Sequence, residues 1–144
     1  MSTDMVSNLL RIVVDTNVII SSLVFGGRPK ELVEKIIQRK FKAFISPVML
    51  SELSDVLRKK FDFSEEKIRK LEEEMLDKFE VVYPTKEVFI ARDKSDNKIL
   101  EAAIESKSKF IISGDKDLLV LKNYLEIEIL TPSGFLSLYE KDLP

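Results

Sequence analysis

Ile12-Val13-Val14-Asp15-Thr16-Asn17-Val18 is the stretch on which the reading of this chain turns. Three consecutive β-branched apolar residues read as a short buried strand, and the strand stops at an aspartate. Phe110-Ile111-Ile112 behaves in the same way, running through Ser113 and Gly114 into Asp115. In an open parallel sheet, ligands bind in the crevice beyond the carboxyl ends of the strands. Both aspartates therefore point to that edge.

Outward from these two strands, the pattern alternates. Val18 to Phe25 reads as a short helix closed by Gly26 and Gly27, and Pro29 suits the first turn of a helix whose inner face is Leu32, Val33, Ile36 and Ile37. Phe41 to Ile45 is a second strand. Ser46 and Pro47 are the cap and first-turn proline of a helix carrying Leu50, Leu53 and Leu57. A further helix spans Ser64 to about Phe79, and Glu80 to Tyr83 is a third strand. Asp96 is expected to open a helix with Ile99, Leu100, Ala103 and Ile104 inward, followed by a short helix around Leu118 to Leu121. Ile127 to Leu130 is the last strand, and Thr131 with Pro132 opens the final helix. Strands alternating with helices predict an α/β fold, a three-layer αβα arrangement around a central parallel sheet of about five strands. No linker or repeat divides the 144 residues, so one domain over 1–144 is expected, with 1–8 flexible.

Composition narrows the chemistry. The chain has no cysteine and no histidine, which excludes disulfides, thiolate metal sites and imidazole as base or ligand. Metal binding must use oxygen donors, which favours magnesium or manganese over zinc. The net charge of −2, from 23 basic and 25 acidic residues, leaves nucleic-acid binding to local basic clusters. The first ten residues lack the apolar run of a signal peptide, and no apolar stretch approaches membrane-spanning length, so a cytoplasmic protein with no membrane partner is expected.

Four carboxylates are the candidate chemistry. Asp15 and Asp115 follow the two apolar strands, Asp96 starts the helix leading back to the second of them, and Glu52 lies one to two turns into the helix after the second strand. Taken singly, Asp15, Asp96 and Asp115 are ordinary cap or turn residues and Glu52 an ordinary solvated one. Brought together they would repel and resist ionising, and a divalent cation removes that problem while promoting phosphodiester hydrolysis.

In order along the chain, Val13-Val14-Asp15-Thr16-Asn17-Val18, Ser46 to Leu57 with Glu52, Asp93 to Glu101, and Ile111-Ile112-Ser113-Gly114-Asp115-Lys116-Asp117-Leu118 resemble the motifs of PIN-domain nucleases. The ending Leu130-Thr131-Pro132 into Phe135-Leu136 is similar to a branch made up of toxins of toxin-antitoxin pairs. The resemblance implies an endoribonuclease dependent on Mg²⁺ or Mn²⁺, an antitoxin partner, and a homo-dimer or higher oligomer. It assigns catalysis and metal binding to Asp15, Glu52, Asp96 and Asp115. Asn17 and Ser113 would orient ligands or waters, and Asp93 and Asp117 would back the metal-holding acids. Asp93-Lys94-Ser95-Asp96 departs from the pattern, leaving either Asp93 or Asp96 facing the metal; Asp96 is favoured because it opens the helix.

An RNA substrate needs cations near the acids, and Arg28, Lys30, Lys94, Lys98 and Lys116 fall in loops or first turns beside the motifs. Phe25 is the nearest candidate by sequence for base stacking. A phospho-aspartyl phosphatase of the haloacid-dehalogenase type would want an acid two residues after the first aspartate, where this chain has Asn17. A receiver-like module expects an acidic pair after the first strand, and Asp15 stands alone there. A catalytically silent PIN fold acting as a binding scaffold is disfavoured by the retention of all four acids.

Overall fold

The computed structural model describes residues 9–142, so the segment 1–8 lies outside the described part. In chain order the elements are β1 (Arg11–Val14), α1 (Thr16–Val24), α2 (Gly27–Ile37), β2 (Lys42–Ile45), α3 (Pro47–Phe61), α4 (Glu65–Lys78) and β3 (Glu80–Val81). There follow α5 (Lys94–Glu105), β4 (Phe110–Ile112), α6 (Lys116–Leu119), β5 (Asn123–Tyr124), β6 (Ile127–Leu130) and α7 (Pro132–Asp142). The strands form one sheet in the order β3-β2-β1-β4-β6-β5, parallel except for β5, with helices on both sides. This is the expected α/β architecture with one short antiparallel strand added at an edge.

The two apolar runs are its centre. β1 and β4 are neighbours, paired Ile12 to Phe110, Val13 to Ile111 and Val14 to Ile112, and the backbone N–H of Asp15 extends the ladder by donating to the Ile112 carbonyl at 2.9 Å. From β1 the chain builds outward on one side through β2 and β3, then crosses back to build the other side through β4 and β6. β1 and β4 thus flank the point where the winding direction reverses, which is where a parallel sheet opens a crevice at its carboxyl edge. At the opposite edge Phe41, Phe110, Phe135 and Tyr139 pack edge-on, with ring centroids 4.6–5.4 Å apart in the closest pairs. That cluster seals the sheet away from the crevice.

Three details differ from the sequence expectation. Gly26 and Gly27 both take left-handed φ, 83° and 69°, so the pair forms the corner between α1 and α2, and Gly27 already begins the second helix. β3 is only two residues long: the Val82 N–H still reaches the Ile45 carbonyl at 3.0 Å, but Tyr83 and Pro84 leave the sheet. Finally, β5 and β6 form a hairpin closed by Leu125 and Glu126, both at positive φ, 49° and 67°. Asparagine and glycine are the residues that make such a turn legible in a sequence, and here neither is present.

That turn carries strain. Replacing it by Leu125→Asn with Glu126→Gly is expected to raise stability by about 1–2 kcal/mol, because both residues tolerate left-handed backbone. A urea midpoint that stays put or falls would count against it.

Candidate metal centre

Asp15 is the N-cap of α1 and is buried. Its Oδ1 accepts from the Asn17 N–H at 3.0 Å and its Oδ2 accepts from the Ser113 hydroxyl at 2.6 Å. Ser113, wholly buried at the end of β4, in turn accepts from the Asp115 N–H at 3.0 Å. Ser113 is thus a clasp between the two strand ends. Asp115 caps the short α6 by accepting from the Asp117 N–H at 2.8 Å, and it is half-buried.

The third aspartate reaches the same place by a route that differs from the expected one. Asp93, not Asp96, caps α5, accepting from the Ser95 N–H at 3.0 Å. With the cap supplied three residues earlier, Asp96 sits inside the first helical turn, almost fully buried, and its Oδ2 has no hydrogen-bond partner. A buried carboxylate oxygen left without a donor is costly unless something else satisfies it. One carboxylate oxygen from each of Asp15, Asp96 and Asp115 lies within 4.8 Å of the other two.

Glu52 stands beside this group rather than in it. Its Oε1 accepts from the Thr16 hydroxyl at 3.3 Å and its Oε2 from the Ser95 hydroxyl at 2.8 Å. It therefore links α3 to the first turns of α1 and α5, which carry Asp15 and Asp96. In the sequence Thr16 stands only as part of the Asp15-Thr16-Asn17 motif and Ser95 only as part of the departing Asp93-Lys94-Ser95-Asp96 segment; neither is marked there as a donor to Glu52.

Electrostatically the cluster is under tension. Burial raises the Asp15 carboxyl above its ordinary range, opposed by the Ser113 and Asn17 donors and reinforced by the nearby charges of Asp115 and Glu52. Asp96 is pushed up to about 7, first by burial, then by Asp115, Asp15 and Asp93. Three hard oxygen donors with one orphaned buried oxygen suit a small divalent cation: the residues fit Mg²⁺ or Mn²⁺.

The remaining candidates are dispersed. The Asn17 side chain is exposed, Asp93 is exposed and occupied with its cap, and Asp117 is half-buried beside Asp115. Arg28 is tied to Glu31 at 2.9 Å and to Glu140 of α7 at 3.1 Å, and Lys98 pairs with the buried Glu101 at 3.3 Å. Lys30, Lys94 and Lys116 are exposed and form no ion pair among the described residues. Phe25 lies beyond the far end of α1, about 13 Å of helix from Asp15. No helix among the described residues is long and apolar enough to cross a membrane.

The chain is similar to MJ1680, an uncharacterized protein of Methanocaldococcus jannaschii, at 33% identity over 146 residues, covering 92% of this chain and 93% of that protein. Its fold resembles that of a chain in the crystal structure of VapBC2 from Rickettsia felis bound to a DNA fragment from their promoter. The TM-score is 0.59 at 13% identity, over 83% of this chain and 97% of that one. The PIN domain family matches residues 11–117, a span that starts with β1 and takes in every acid of the cluster, and the chain belongs to that family.

Proposed function

We propose that this protein is a Mg²⁺- or Mn²⁺-dependent endoribonuclease that hydrolyses RNA phosphodiester bonds. The observation that carries the reading is the convergence of Asp15, Asp96 and Asp115 on a volume small enough for one ion, with the Asp96 Oδ2 buried and unpartnered. Membership of the PIN domain family supports the same reaction class.

In this reading Asp15, Asp96 and Asp115 hold the cation, while Glu52 faces them as a fourth acid. A bound cation supplies charge neutralisation at the phosphate and lowers the pKa of a water. The protein's own residues supply placement. Ser113 fixes the Asp15 carboxylate from one side and the Asn17 N–H fixes it from the other. Glu52 locks the two helix starts through Thr16 and Ser95. Lys94 and Lys98 lie on α5 with Asp96, Lys116 follows Asp115 at the start of α6, and Arg28 and Lys30 lie on α2, the helix after the one that Asp15 caps. The exposed lysines among them receive phosphates.

The same reading makes the chain the toxin of a toxin-antitoxin pair, acting in the cytoplasm as a homo-dimer or higher oligomer and restrained by an antitoxin protein. The Leu130 to Leu136 ending supports it, as does the likeness to a chain of the VapBC2 assembly.

The test is direct. Purified protein is expected to cut single-stranded RNA when Mg²⁺ or Mn²⁺ is added and to stop when excess chelator is present. Cleavage that persists undiminished in chelator would overturn the assignment.

A further inference from the structure

Residues 82–93, between β3 and α5, have no regular secondary structure, yet their backbone is held at three places by one stripe of α5. Asn97, Glu101 and Glu105 lie at successive i, i+4 positions on that helix. Glu105 accepts from the Thr85 N–H and hydroxyl, each at 2.9 Å. Glu101, buried, accepts from the Val88 N–H at 2.9 Å. Asn97, also buried, brackets Ala91, accepting from its N–H at 2.8 Å and donating to its carbonyl at 3.1 Å. The Val88 side chain is itself buried.

What lies between the last two staples is the opposite of buried. Phe89 is 81% exposed and Ile90 52%. A free loop would fold such a side chain down onto the nearest apolar surface; here pinned residues on either side hold it out. The strap returns to the helix start that carries Asp96: Ala91, two residues after Phe89, is bonded to Asn97, and Asn97 follows Asp96 in the chain. Arg92 and Lys94 continue from the tip toward the cluster, both exposed and neither ion-paired among the described residues.

We propose that Phe89 is a stacking platform for a base of single-stranded RNA, and that the stapled strap 82–93 holds it ready beside the cleavage site. The proposal rests on the ribonuclease reading and adds to it a determinant of substrate binding. An exposed aromatic ring followed by two cations fits a base and its flanking phosphates, which an apolar protein partner would leave uncompensated. Fixing the strap in advance removes the ordering cost that a mobile aromatic would incur on binding.

The chain has no tryptophan, so Phe89→Trp installs a single fluorescent reporter at the tip. Its emission is expected to be quenched by single-stranded RNA and not by a sugar-phosphate oligomer of equal length without bases. Phe89→Ala is expected to raise KM for that RNA roughly five- to a hundredfold with kcat within about twofold. Tyr83→Ala, at the other end of the strap, is expected to leave both unchanged. If the wild type cleaves RNA but Phe89→Ala keeps its KM and the tryptophan stays unquenched at saturation, the platform is wrong and the nuclease reading survives. Equal quenching by the baseless oligomer also overturns it. A protein that neither binds nor cleaves RNA in Mn²⁺ loses both readings.

Discussion

Asp15→Asn is expected to abolish RNA cleavage, lowering kcat/KM by about a thousandfold or more, while the protein stays folded. Asp15 is the acid on which the other arrangements converge. It sits at the end of the central strand, its carboxylate is aimed by Ser113 and by the Asn17 N–H, and its own N–H belongs to the sheet ladder. Asparagine keeps the shape and still offers an oxygen to cap α1, so the helix start survives. What it removes is a negative charge among three donors, and a neutral amide is a far weaker ligand for a hard cation. Measuring Mn²⁺ affinity alongside cleavage distinguishes the causes: both are expected to fall together, with the circular dichroism spectrum unchanged. Retention of more than a tenth of the activity would show that Asp15 serves as a cap and nothing more.

The acids illustrate what a sequence makes legible. Asp15 and Asp115 could be placed at one sheet edge because each terminates an uninterrupted apolar run, and a run with no polar face has only the sheet centre to occupy. That these two strands are neighbours follows from strand order, which depends on how four crossovers pack and leaves no local mark. The sequence points to Asp96 as the residue that opens its helix; in the structure Asp93 takes the cap and thereby frees Asp96 to face inward. Two aspartates three residues apart look alike in sequence, and only burial separates them. The hairpin at Leu125 and Glu126 was invisible because its residues contradict the turn they make. The roles of Asn97 and Glu101 leave no mark in the sequence, because polar residues on a helix usually face water, whereas these meet the backbone of a strap whose path no periodicity encodes.

In metal-free buffer the folded protein is expected to become more stable as the pH is lowered from 8 to 5, the reverse of ordinary acid denaturation. The cause is Asp96, whose carboxyl stands at about 7 against an ordinary 3.8. Between those two values the folded chain keeps a proton that the unfolded chain has released. Stability is therefore fully present below the unfolded value and is lost as the pH rises through about 7. Asp96→Asn replaces the group by one that is always neutral and can donate to Asp115, as the protonated acid would. At pH 8 without metal it is expected to stabilise the fold by about 1–2 kcal/mol, a melting-temperature rise of roughly 3–8 °C, and to flatten the pH dependence. Asp15→Asn is expected to gain less, because it gives up the charge that makes the Ser113 and Asn17 hydrogen bonds strong. Mn²⁺ acts on the same tension from the other side: it is expected to raise the wild-type melting temperature at pH 8 and much less at pH 5, where protons compete for the ligand oxygens. Thermal melts of the two variants and the wild type, with and without Mn²⁺ at both pH values, read all of this in one series. A wild-type melting temperature indifferent to Mn²⁺ at pH 8, together with a less stable Asp96→Asn, would mean that these carboxylates do not strain against one another and hold no ion.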